Sequence, residues 1–537
     1  MFIFPVSVEK QEKTEDNSMK LNYKRTILVG FAFFLISAFW QAYDATIPVI
    51  LTNKFGMSQT WSGVIMALDN ILAVFMLPIF GALSDKCVKN KLGKRTPFIT
   101  VGTIIAAVAL VALSFVDAAQ LKNISDVAAI DDPAALEAIY EKQADAELVT
   151  PDGEKFVLSD IFEKDEFMSI TSKIELASGD TITNPDYTNY VAPARQACAA
   201  DATAANSTNL ILFVVLLLAV LIAMATFRSP AVALMPDVTI KPLRSKANAI
   251  INLMGTAGGI LVLVLGIVFA TSSVQNSMMH YFLYYGVIAA LMIGALVIFR
   301  LTVKEPQWAA EMQAESARLG IDENEDNGNG GDRKLSKSEK RSLLLILASI
   351  ALWYIGYNAV TSKYSLYAGR VLDMDYNTTL LIAQGAAIIS YLPAGFVASK
   401  LGRKKTILAG VVMLATAFGV ASFLRAGSSV LLMNVLFALA GIGWATINVN
   451  SFPMVVEMCS GADIGKYTGY YYTASMAAQI VTPVLSGWLM DATGKMTVLF
   501  PYAAIFVALA FGTMFLVKHG DAKVTAKKGL EALNIDD

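Results

Sequence analysis

Three ionisable side chains lie inside stretches that otherwise exclude charge: Asp44 in FWQAYDATIP, Asp69 in MALDN and Arg228 in ATFRSPAVALMPD. Two carboxylates near each other in an apolar setting hold at least one proton near neutral pH, or share a cation. That is the chemistry of proton or sodium coupling, not of bond making. A guanidinium there has three options: pairing with a carboxylate, gripping solute oxygens with its planar fork, or reaching for headgroups. The same stretches carry aromatic rings and amides: Trp40, Gln41, Tyr43, Asn70, Tyr354, Tyr357, Asn358, Gln384 and Asn448. Rings plus hydrogen-bonding amides in a mostly apolar cavity suit a sugar-like solute. Tyr354, Tyr357 and Asn358 share one helix face. Lys363, near the end of its apolar run, is expected to snorkel to the interface.

These residues need elements that hold them in a membrane. Of 537 residues, 55% are hydrophobic and 16% charged, against about 25% charged in soluble domains. Disorder is excluded as the main state, and a net charge of −2 gives no footprint for nucleic acid. The apolar residues come in runs of about 20, the length of a membrane-spanning helix. The expected spans are Thr26–Leu51, Trp61–Leu83, Phe98–Val116, Leu210–Leu234, Ala249–Ala270 and Tyr281–Val303. Six more are Leu343–Tyr367, Leu380–Ala398, Thr406–Phe423, Leu431–Val456, Tyr467–Met490 and Thr497–Val517. The runs lack the alternation of a transmembrane barrel. The expected class is therefore an all-α integral membrane protein.

Of the 42 Lys and Arg, 30 fall in the connections that share a side with the termini and 10 on the other side, which predicts cytoplasmic termini. The domain reading has a tail 1–25, a six-helix half 26–303 and a linker 304–342. A second half 343–517 and a tail 518–537 complete it. Segment 117–207 is an extracytoplasmic insertion with 18 acidic and 6 basic residues. Its composition reads first as a solvated loop, with a small folded cap as the sharper alternative. The linker, with DENEDNGNGGDRKLSKSEKR, reads as flexible. No cleavable signal peptide is visible, and Met1 and Met19 both stand as possible starts.

Depth arithmetic pairs the two carboxylates. Asp44 sits seven residues before Leu51, ~10 Å from the outer end, and Asp69 eight residues after Trp61, ~12 Å from the same end.

The chain repeats itself. GALSDKCVKNKLGKRTPFI from Gly81 follows span 2, and GFVASKLGRKKTIL from Gly395 follows span 8. Asp237 precedes Lys246 by nine residues, and Glu457 precedes Lys466 by nine. Both offsets lay spans 1–6 over spans 7–12, the parallel-repeat arrangement of rocking carriers. In the first loop Asp85 stands among Lys86, Lys94 and Arg95, with Gly81 and Gly93 allowing close approach and a turn. Carboxylate–guanidinium contacts at helix ends can hold one of two states closed. Asp237 and Glu457 are expected partners of basic loop residues.

GALSDKCVKNKLGKRTPF resembles the signature loop of the major facilitator superfamily. With IMALDNILAVFMLPIFGALSDK, AVALMPDVTIKPLRSKANA and GIGWATINVNSFPMVVE, the chain resembles its sugar–cation symporter branch, which includes the glycoside–pentoside–hexuronide symporters. The resemblance implies twelve helices in two pseudo-symmetric halves, a sugar or glycoside as solute, and H+ or Na+ as coupling ion. It does not cover 117–207. A monomer is expected, in the cell membrane, without a cofactor.

Other classes fare poorly. GADIGKY fails as a Walker A motif because three residues separate its glycines and Tyr follows the Lys. Two histidines and three scattered cysteines make no metal or disulfide framework, and no catalytic grouping stands out, so an enzyme is not expected. The rival readings are an exporter or organic-acid or peptide carrier of the same fold, and a membrane sensor using 117–207.

Overall fold

The computed structural model describes residues 21–87, 90–175, 181–240, 243–318, 335–456, 458 and 464–520. Among them twelve long helices follow the twelve expected apolar runs. In the first half they are α1 (Tyr23–Asn53), α2 (Gln59–Lys86), α3 (Thr96–Asn123), α4 (Thr208–Asp237), α5 (Arg244–Val268) and α6 (Phe282–Thr302). In the second they are α7 (Lys337–Tyr367), α8 (Tyr376–Leu401), α9 (Arg403–Ala421), α10 (Val430–Val456), α11 (Ile464–Thr493) and α12 (Leu499–Phe515). Ten are long and apolar enough to cross a membrane, and α8 and α11 complete the two bundles. Their outward surfaces carry large exposed apolar side chains such as Phe75, Val108, Leu301 and Leu431, as a lipid-facing surface does. The chain is a multi-pass membrane protein.

The internal repeat is legible in the packing. Within the first half α1 packs on α5 and α6, α2 on α4, and α3 on α4 and α6. Adding six to each number gives the packing of the second half: α7 on α11 and α12, α8 on α10, and α9 on α10 and α12. Each half closes over its own apolar core. The halves meet along α2–α11, α5–α8 and α1–α7, and the first two pairs are images of each other under the same offset.

Local sequence sets the helix starts. Asp375 caps α8 by accepting from the Asn377 and Thr378 amides at 3.0 and 3.1 Å, and Ser336 with Glu339 forms a capping box on α7, satisfying amides that otherwise lack partners. The first turn of α2 is capped from the other half. Asp491 of α11 accepts from the amides of Gln59 at 3.0 Å and Thr60 at 2.7 Å, and from the Thr60 hydroxyl at 2.5 Å. Glycines permit this approach. A Cβ on Gly63 would lie 2.0 Å from the Pro483 carbonyl oxygen, and one on Gly487 2.2 Å from that of Gln59.

Segment 117–207 is not a solvated loop. It folds over its own core of Ile124, Val127, Leu136, Ile139, Phe156, Leu158, Phe167, Tyr187, Val191 and Cys198. Its helices Pro133–Gln143 and Ala192–Ala205 and two short antiparallel hairpins, Leu148–Val149 with Lys155–Phe156 and Lys173–Glu175 with Thr181–Thr183, surround that core. The apolar residues are few but fall on facing sides of short elements, which composition averages away. This cap domain spans both halves. It meets the first through Gly56, where a Cβ would lie 2.2 Å from the Ala200 nitrogen. It meets the second where the Met496 amide donates to the Pro151 carbonyl at 2.9 Å and Asp373 accepts from the Thr183 amide at 3.0 Å.

The linker also departs from expectation. Glu305–Arg318 is a helix with Trp308 buried, and the Arg25 guanidinium lies 5.3 Å from the Trp308 ring and pairs with Glu311 at 2.6 Å. Residues 319–334 of the linker lie outside the described residues.

Candidate functional site

Between the halves lies a cavity of about 180 Å³ lined by Trp40 and Asp44 of α1, Met66, Asp69 and Asn70 of α2, and Arg228 of α4. Asn358, Thr361 and Ser362 of α7 and Gln479 and Pro483 of α11 line its other side. The three membrane-buried charges picked out by type alone therefore face one space. Asp44 and Asp69 are near enough to act on each other's charge, and Asp69 is near enough to Arg228 for attraction. Asp69 accepts from the Asn70 amide at 2.7 Å. The Arg228 guanidinium stands 5.6 Å from the Trp40 ring, a cation–π placement that fixes it without consuming its fork.

The other expected residues arrange around this centre. Gln384 of α8 donates to Gln41 of α1 at 2.6 Å, a bridge between the halves. Tyr43 packs on Trp40 and Phe39 in the core of the first half, its hydroxyl buried without a partner. Tyr354 and Tyr357 do not line the described cavity. Tyr357 stacks on Trp444 of α10 at 3.7 Å and Tyr354 meets the same ring edge-on at 5.2 Å, forming an aromatic wall beside it. Asn358, with its amide nitrogen buried and unpartnered, does face the cavity. Asn448 lies in hydrogen-bond reach of the Tyr391 hydroxyl. Trp444, Thr361, Ser362 and Met66 went unnoticed in the sequence. Thr361 and Ser362 follow Asn358 by three and four residues, so the helix face that contains Asn358 pointed to them.

One face of the cavity is shut. On the cap side, Lys363 of α7 is wholly buried and donates to the Gln59 carbonyl at 2.8 Å. This corrects the expectation that it snorkels: its ammonium is instead engaged by the Gln59 carbonyl and side-chain oxygen at the start of α2. Arg370 donates to Asn53 at 2.6 Å, and Ser272 donates to Asp375 at 2.6 Å. Toward the termini, Tyr391, near Tyr357, is 38% exposed and Tyr472, near Arg228, is 52% exposed.

Between α2 and α3 the signature loop forms a knot centred on Arg95. Its guanidinium donates to Asp237 at 2.7 Å, Asp85 at 2.5 Å, the Ser84 hydroxyl, and the Gly81 carbonyl at 3.4 Å. Lys94 pairs with Asp237 at 3.0 Å. These partners all belong to the first half. Buried Glu305, unnoticed in the sequence, accepts from the Arg95 amide at 2.8 Å and the Thr96 amide at 2.7 Å, capping α3. Gly93 leaves room for it, since a Cβ there would lie 2.3 Å from the Glu305 carboxyl carbon. Lys86 is exposed. Glu457 lies outside the described residues.

The family model of the Major Facilitator Superfamily matches residues 5–128, 192–391 and 375–533. Curated relatives match only locally. An "MFS-type transporter ppzB" of Metarhizium majus (strain ARSEF 297) is 29% identical over 133 residues, 25% of this chain and 28% of that protein. A protein of the same name in Metarhizium rileyi (strain RCEF 4871) is 27% identical over 147 residues, 27% of this chain and 30% of that one. Among solved structures, the inward-open xylose transporter XylE from E. coli is similar over 95% of this chain and 99% of that one, at 15% identity and TM-score 0.56. The nucleoside transporter NupG is similar over 92% of this chain and 100% of that one, at 14% identity and TM-score 0.54. A D-xylose-proton symporter covers 94% of this chain and 99% of its own, at 14% identity and TM-score 0.53. These likenesses concern the fold, while the matched model covers most of the sequence: the chain belongs to the Major Facilitator Superfamily.

Proposed function

We propose that this protein is a secondary active transporter that moves a small polar solute, a sugar or glycoside, by alternating access coupled to a proton or sodium gradient. The observation that carries this reading is the cavity between the halves into which Asp44, Asp69 and Arg228 all face. A charge costs several kcal/mol inside a membrane, and a cavity with two carboxylates and one guanidinium is a place where loading a proton or sodium ion changes the net charge. Binding energy that differs between the two open states is what biases the rocking of the halves. Asp44 and Asp69 take the coupling role. Trp40, Asn70, Asn358 and Gln384 take the solute, with Tyr357 on Trp444 as an aromatic wall.

The signature loop takes the gating role. Arg95 ties α2, α3 and α4 together. The basic bias of the connections on the signature-loop side supports a cytoplasmic placement of that side.

One observation favours a second reading, an organic-acid carrier: Arg228 keeps its fork free while facing the cavity. Uptake into proteoliposomes of labelled sugars and labelled carboxylic acids, under imposed proton or sodium gradients, tests both. Accumulation of a sugar supports the first reading. Accumulation of acids with sugars inert replaces it with the second, and uptake indifferent to both gradients refutes coupling.

A further inference from the structure

The cap domain is fastened to the two halves by different kinds of contact. Toward the first half the fastening is covalent and apolar. The cap chain continues from the end of α3 and returns into the start of α4. Val274 and Met278, from the connection between α5 and α6, pack against its core. Polar bonds add to this: Gln120 of α3 donates to the Thr203 hydroxyl at 3.1 Å, and Gln196 donates to the Met57 carbonyl at 3.3 Å.

Toward the second half the fastening differs. Among the described residues, none from that half packs into the cap core. The bonds that reach it are polar. The Pro151 carbonyl accepts from the Met496 amide at 2.9 Å. Asp373, just beyond α7, accepts from the Thr183 amide at 3.0 Å and from its hydroxyl. The Gln196 side-chain oxygen accepts from Arg370 at 2.5 Å, and Asp152 stands 3.6 Å from Arg425. Parting two apolar surfaces exposes both to water with nothing to replace the contact. Parting polar groups lets water take over their hydrogen bonds, at a much smaller net cost.

We propose that the cap domain is a clasp. It rides with the first half as one body, and its polar bonds to the second half hold the cap side closed and release when that side opens. Bonds that exist only in the closed state bias the molecule toward it. This clasp is separate from the Asp491 contact with α2, with which it shares no residue. It rests on the rocking of the halves in the reading above, but on no particular solute or ion.

The test is hydrogen exchange on the purified full chain in detergent. It reads the motion of the halves without solute or gradient, so failure of the clasp is distinguishable from failure of the transport reading. The Gln59 and Thr60 amides are bonded to Asp491 of the other half, so their exchange reports parting on the cap side. Asp373→Gly removes the carboxylate and suits the left-handed backbone there, at φ 52°. It is expected to speed exchange at Gln59 and Thr60 about tenfold, the worth of a hydrogen bond to a charged group. The cap helices Pro133–Gln143 and Ala192–Ala205 are expected to exchange as in the native protein. A second variant keeps Asp373. In it Asp152→Cys and Arg425→Cys are joined by a short bifunctional thiol reagent, with the three native cysteines replaced. Joining should slow exchange at the start of α2 below that of the unjoined protein. Unchanged exchange at Gln59 and Thr60 in folded Asp373→Gly, or acceleration confined to the cap, overturns the proposal. So does a joined protein that exchanges there as fast as the unjoined one, since the cap would then be leaving the first half instead.

Discussion

Replacing Asp491 by Asn should open the cap side. Its carboxylate accepts three hydrogen bonds from the first turn of α2, and these exist only while α2 and α11 touch. When the halves part on this side, water replaces the carboxylate and the α2 amides lose a charged cap. A helix cap contributes about 0.5–2 kcal/mol, and a negative charge at a helix N-terminus up to ~2 kcal/mol in a partly buried setting. Together they bias the closed state by about 1–3 kcal/mol, or roughly 5- to 150-fold in population. Asn keeps the shape and one acceptor, so the shift should fall in the lower half of that range. The assay is a distance distribution between spin labels at exposed Thr208 of α4 and Ser429 before α10, one on each half, in a protein whose native cysteines are replaced. The longer-distance population should rise several-fold in Asp491→Asn. An unchanged distribution would mean that the closed gate does not depend on this cross-half cap.

Three further outcomes follow from buried groups. Lys54 and Asp117 form a fully buried pair at 2.6 Å, and Lys54 also donates to the Met279 carbonyl at 2.7 Å. Lys54→Met strands the carboxylate and should cost about 3–5 kcal/mol of unfolding free energy. The Lys54→Met/Asp117→Leu double variant should cost less than the two single variants together, and additivity would contradict the pairing. Glu305→Ala uncaps α3 and should cost about 1–3 kcal/mol, visible as earlier denaturant unfolding. Burial pushes the Cys198 thiol up to about 11. At pH 8 it should therefore resist thiol reagents in the native protein and react on unfolding, whereas rapid native labelling would show that the cap core is not closed.

The membrane helices were legible because a bilayer enforces long charge-free runs, and the cost of breaking that rule singled out Asp44, Asp69 and Arg228. The repeat was legible because each half carries its own copy of the loop after its second helix. What escaped was partnership across distance. Lys363 showed its cost in the sequence, but its acceptor is the Gln59 carbonyl, over 300 residues away, and a backbone oxygen has no sequence signature. Glu305 looked like the start of a flexible linker because its role depends on reaching back to Arg95 and Thr96. The cap domain escaped because its core is built from single apolar residues on short elements. Ile139, Phe167 and Val191 are each unremarkable in an acidic, alanine-rich context.

On the proposed reading, Asp44 and Asp69, which face the middle cavity, couple solute movement to an ion gradient. The direct test compares gradient-driven accumulation with solute exchange at equilibrium in proteoliposomes bearing the native protein, Asp44→Asn or Asp69→Asn. If either carboxylate carries the ion, its Asn variant exchanges solute across the membrane yet no longer concentrates it under a proton or sodium gradient. Accumulation at the native level in both variants would mean that neither carboxylate carries the coupling ion.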